Sequence, residues 1–117
     1  MAPKKKGADL RKAALDGDCE ALSAIIAEGV NLEDPHPKDG QTALMYASAN
    51  GYTDAMAVLL EAGANLEARD KFGYTPIMVA ATTGEIEAIR YLLTSGADVN
   101  AKDKFGKTAL AKAIQQI

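Results

Sequence analysis

The sequence predicts an all-α repeat solenoid, and three observations carry that prediction. A Gly-x-Thr start recurs at Gly40, Gly73 and Gly106, at a constant spacing of 33 residues. Further glycines keep the same spacing, Gly51 with Gly84 and Gly63 with Gly96. Between them the apolar residues fall at helical intervals: Leu22, Ile25 and Ile26; Met56, Leu59 and Leu60; Ile89, Leu92 and Leu93. A unit of this length cannot bury its apolar stripe alone, so repeated units stack and share a core.

Each element has a local cause. Thr42, Thr75 and Thr108 are placed to cap first helices with their hydroxyls, and Pro76 stands at a first helical position, where its missing N–H costs nothing. Gly17, Gly51 and Gly84 close those helices about nine residues later. Second helices begin at once, with Asp18 and Glu20, Asp54, or Glu85 and Glu87 at the positive end of the helix dipole, and Gly29, Gly63 and Gly96 end them. Segments 69–74 and 102–107 carry the Asp-x-x-Gly text of tight turns. An N-terminal copy aligns at an offset of 34, which puts one inserted residue within 34–39.

The segments Thr42–Ala47, Thr75–Ala80 and Thr108–Ala113 resemble the T-P-L-H-x-A text of ankyrin repeats, and the Leu-Leu-x-x-Gly-Ala segments extend the likeness. The resemblance implies one ankyrin-repeat domain over 9–117, with repeats near 9–38, 39–69 and 70–102 and a truncated fourth at 103–117. Residues 1–8 are then a disordered basic tail. Met45, Met78 and Ala111 stand where the family places histidine, so apolar packing is expected in place of a polar network. Ala43 and Ala109 replace proline without harm, being good helix formers.

Composition narrows the function. With 117 residues and a net charge of −3, the chain lacks a run of apolar residues long enough to span a bilayer and an apolar leader, so a cytoplasmic or nuclear location is expected. Cys19 is the single cysteine and reads as a partly buried, inert thiol. Lys4, Lys5 and Lys6 are too few for a nucleic-acid patch, and His36 has no second histidine with which to build a metal site. Nucleophile elbows, phosphate-cradling loops and paired histidines are missing from the text, so neither catalysis, cofactor, metal nor small-molecule substrate is expected.

Binding of another protein is what the resemblance implies, through finger tips and the exposed face of the first helices. Mapped onto this sequence, the finger positions are Lys38, Asp39 and Gln41; Lys71, Phe72 and Tyr74; Lys104, Phe105 and Lys107. The helix face adds Tyr46, Ala49, Asn50, Val79, Thr82 and Thr83. The residues themselves point to the same area, because Phe72, Tyr74 and Phe105 lie in turns that a core cannot easily reach. Segments 69–74 and 102–107 hold Arg69, Lys71, Lys102, Lys104 and Lys107 against Asp70 and Asp103, on an otherwise acidic chain. A partner with an acidic surface suits that edge, and nucleic acid does not suit the acidic body. The alternative is a scaffold or fragment of a larger ankyrin-repeat protein.

Two expectations concern the C-terminal part. Asn100 occupies the position that asparaginyl hydroxylases modify in ankyrin repeats, although a hydrogen bond stabilising its loop is its expected role. Leu110, Ile114 and Ile117 lack a second helix to cover them, so a homodimer through the C-terminal end is expected.

Overall fold

The computed structural model describes residues 6–115. Seven helices form among them: α1 (Lys6–Asp16), α2 (Cys19–Ala27), α3 (Ala43–Ala49), α4 (Thr53–Glu61), α5 (Pro76–Thr83), α6 (Ile86–Thr94) and α7 (Ala109–Ile114). First helices α1, α3, α5 and α7 stack side by side in one layer, while α2, α4 and α6 pack behind them. The result is an array measuring 46 × 25 × 21 Å, with three helix pairs and an unpaired seventh helix among the described residues.

A continuous core runs between the layers. Leu10, Leu44 and Ile77 from the first helices meet Leu22, Met56, Leu59 and Leu92 from the second, and alanines such as Ala14, Ala47, Ala55, Ala80 and Ala88 let the helices approach closely. Met45 and Met78 are wholly buried, in line with apolar packing where the family pattern places histidine. Cys19 is partly buried against this core.

Local signals worked with some exceptions. Thr42 and Thr108 accept hydrogen bonds from Met45 N and Ala111 N at 3.4 and 3.3 Å. Thr75 holds the same backbone shape but makes no such bond, and its hydroxyl is buried. Asp18 goes beyond a dipole role and caps α2 directly through Ala21 N at 3.1 Å. Leu93, expected on the buried face, is exposed: Ile26 and Leu60 at the matching positions each have a following second helix beside them, and Leu93 has none among the described residues. Helix α1 begins at Lys6, inside the segment expected to be a disordered tail, and Lys6 Nζ donates to Glu28 O at 3.2 Å. Met1–Lys5, with two of the three tail lysines, and Ile117 lie outside the described residues.

Candidate partner-binding surface

The fingers are built on an aspartate. Asp70 Oδ1 accepts from Phe72 N and Tyr74 N, both at 2.9 Å, and Asp70 N donates to Tyr74 O at 3.0 Å, closing the turn. Asp103 repeats the pattern with Phe105 N, Lys107 N and Lys107 O. In the first finger His36 N donates to Gln41 O, a span one residue longer, so the inserted residue lies between His36 and Gln41. The single aspartate's work is divided there: His36 Nδ1 accepts from Lys38 N at 3.1 Å and Asp39 Oδ1 from Gln41 N at 2.9 Å.

Neighbouring fingers are fastened to one another. Lys71 N donates to Asp39 O at 2.9 Å and Lys104 N to Phe72 O at 3.0 Å. Glycine is required for that approach, because a Cβ on Gly73 would lie 2.9 Å from Lys104 N, and φ is positive there. Arg69 Nη1 spans two fingers, donating to Gly73 O at 2.9 Å and Lys102 O at 2.6 Å, and Lys71 Nζ reaches back to Lys38 O at 3.0 Å.

On this frame Phe72 and Phe105 are 43% and 69% exposed. Lys71, Lys104 and Lys107 are exposed beside them. Tyr74 differs from its expected role, since it is half-buried against the core and its ring lies 3.6 Å from Lys112 Nζ. The Lys112 ammonium also binds Asp103 Oδ2 at 2.7 Å, and both residues are almost fully buried. Burial opposes both charges, but the Lys112 bond and the two finger N–H bonds hold the Asp103 carboxyl below its ordinary value. Asp103 and Tyr74 likewise outweigh burial and raise Lys112.

The first-helix face is mixed. Asn50 and Thr83 are exposed, and Tyr46, Ala49 and Thr82 are partly exposed. Asn50 Nδ2 donates to Leu15 O at 3.0 Å, whereas Thr82 and Thr83 return their hydroxyls to Met78 O and Val79 O within their own helix. Val79 is not on the surface: it is 5% exposed and packs with Met45 and Ala68, because a short branched side chain at this position falls back onto the helix layer.

A groove of about 550 Å³, bordered by Arg11, Lys12, Leu15, His36, Pro37 and Tyr46, joins the first finger to α1 and α3. Burial, then the Asp39 carboxylate, push the Tyr46 phenol above its ordinary value, and Arg11 opposes them. Arg11 is itself fixed by Asp34, with Nη1 bonds of 2.9 Å to its carbonyl and 2.7 Å to its carboxylate. Sequence reasoning missed Lys12 and Leu15, although the 34-residue offset aligns them with Tyr46 and Ala49 and was the signal available.

Asn100 is exposed, but the loop bond expected of it is made by another residue. Asp98 Oδ1 accepts from Asn100 N at 2.9 Å, as Asn31 and Asn65 do for Glu33 N and Glu67 N. Residues aligned with Asn100 have a different task. Glu33 Oε2 accepts from Asn65 N at 2.8 Å and Glu67 Oε2 from Asp98 N at 2.9 Å, so each glutamate pins the loop of the next repeat.

A model of ankyrin repeats in three copies matches residues 10–103 and, in a second register, 63–116. The chain belongs to the ankyrin-repeat family. Cortactin-binding protein 2 from Dasypus novemcinctus and from Mus musculus is each 38% identical to it over 63 residues, which is 53% of this chain and 4% of the relative. The chain thus spans a small part of the length of these curated relatives. Ankyrin repeats are general protein–protein interaction modules. Among the described residues no helix is long and apolar enough to cross a membrane.

Proposed function

We propose that this ankyrin array is a non-catalytic module that binds an acidic protein surface along its finger edge, with the first-helix face around Tyr46 and Asn50 as the second wall. One observation carries the reading: Phe72 and Phe105 stand exposed among lysines on fingers locked together by backbone bonds. Large rings held at low entropic cost are the usual anchors of an interface, and surrounding charge chiefly accelerates encounter. The named relatives are cortactin-binding proteins, which supports protein binding here without transferring their partner.

Lys104 and Lys107 are the cleaner probes of charge, because the Lys71 ammonium also serves the frame. After affinity capture of a partner, the Lys104→Glu/Lys107→Glu variant should associate more slowly and with a flatter salt dependence, at unchanged melting temperature. Equal association rates at low salt would remove the acidic partner from the proposal.

A further inference from the structure

The first finger differs from the two that follow it in one chemical respect. Asp70 and Asp103 hold their turns with a carboxylate, whereas His36 stands in their place and holds its turn with a ring nitrogen. The backbone pattern shows the equivalence: His36 N donates to Gln41 O and Gly40 N to His36 O, as Asp70 N donates to Tyr74 O and Gly73 N to Asp70 O. His36 Nδ1 accepts from Lys38 N at 3.1 Å, which requires its lone pair and so a neutral imidazole with the proton on Nε2. His36 is the chain's only histidine, and imidazole is the side chain whose charge changes between about pH 5 and 8.

A proton taken up at Nδ1 sets a donor against a donor. The Lys38 bond is then lost, and an acceptor for the new N–H is at hand in Asp39 Oδ1, 3.7 Å from Nδ1 and also bound to Gln41 N. The other charged groups around the ring are committed elsewhere: on α1, Arg11 binds Asp34 and Lys12 binds Asp16, and from the second finger the Lys71 ammonium binds Lys38 O. The Lys38 side chain is exposed on the same turn. Tyr46 on α3, the remaining titratable group of this groove, keeps its phenol protonated, since burial and Asp39 raise it.

We propose that the first finger is a pH-sensitive latch, closed by neutral His36 on Lys38 N and opened when the protonated ring turns to Asp39. The change has a route to the next finger, because Lys71 N is fastened to Asp39 O at 2.9 Å and Lys71 Nζ to Lys38 O at 3.0 Å. Phe72 follows Lys71 directly. Opening the latch therefore loosens the finger edge where Phe72 stands, and this consequence for binding, though not the latch itself, rests on the binding role proposed above.

Heteronuclear magnetic resonance of the full chain without a partner tests the latch, so the result is independent of whether the finger edge binds an acidic surface. At about pH 8 the ring should carry its proton on Nε2, and between about pH 8 and about pH 5 the Lys38 amide should shift in step with the ring. The protection factor of that amide should fall about threefold. His36→Asn supplies a side-chain oxygen that accepts from the same N–H at every pH, so its Lys38 amide should stay held and flat. His36→Ala should leave the amide released even at about pH 8. A proton on Nδ1 at about pH 8, a Lys38 amide that stays still while the ring titrates, or one still held in His36→Ala would overturn the proposal. So would a shift that persists in His36→Asn, which would assign it to a carboxylate.

Discussion

The fingers at 69–74 and 102–107 share a backbone and differ in what holds their aspartate. Both Asp70 and Asp103 are buried, and both spend Oδ1 on two finger N–H groups. Asp103 Oδ2 then receives the Lys112 ammonium, while Asp70 Oδ2 is buried without a partner among the described residues. The difference traces to one position of the repeat: nine residues after each aspartate stands Lys112 in the one case and Val79 in the other. The turn is thus set by the aspartate and glycine common to both repeats, and the following helix decides whether the finger is tied down electrostatically or by apolar packing. The ion pair belongs to α7, the last of the described helices.

Replacing the two aspartates by their amides should separate these roles most strongly. Asp103→Asn keeps an acceptor for the finger but strands a buried ammonium, so it should cost about 3 kcal/mol, seen as accelerated hydrogen exchange in α7. Asp70→Asn loses only a charge with no counter-ion and should cost less than about 1 kcal/mol. Similar losses would mean that the pair contributes nothing beyond the turn.

Acid should reproduce the larger effect. The folded Asp103 value is depressed, so its contribution is complete above the ordinary aspartate value of about 3.9 and is lost as pH falls through the lower folded value. The folded Lys112 value is raised, so its share is complete below about 10.4 and fails as pH rises through the higher folded value. Protection of α7 should therefore be flat across neutral pH and collapse in strong acid. In Asp103→Asn that collapse should be absent, and its persistence would place the acid-sensitive group elsewhere.

Smaller effects are expected from the loop pins. Glu33→Ala or Glu67→Ala removes one exposed charge-assisted bond to the next repeat and should cost roughly 0.5–1.5 kcal/mol in chemical denaturation. Asn100→Ala should cost nothing measurable, since only the backbone of Asn100 serves its loop.

The repeat text made the architecture legible, because period, helix caps and turn glycines are local signals that act within a few residues. Side-chain partners across repeats were less legible. Lys112 is just one residue of a helix motif until the fold brings Asp103 and Tyr74 against it. Alignment placed Val79 on the surface, and both alignment and turn chemistry placed Tyr74 there, but their burial is decided by neighbours from other repeats, Met45 and Ala68 for Val79 and Lys112 for Tyr74, which a single sequence does not bring together. Glu33 and Glu67 stand in the columns of Asn100, and their reach of one full repeat became visible only with the loops stacked. The same turn argument did hold for the exposed rings of Phe72 and Phe105.

Those rings support the claim on which the function rests. The direct measurement is equilibrium binding of the captured partner to Phe72→Ala/Phe105→Ala, paired with helical circular dichroism and the melting temperature of the same preparation. The account predicts binding weakened more than about tenfold at nearly unchanged helicity and melting. Intact binding with a melting temperature lowered by several degrees would contradict it, making the two rings parts of the frame.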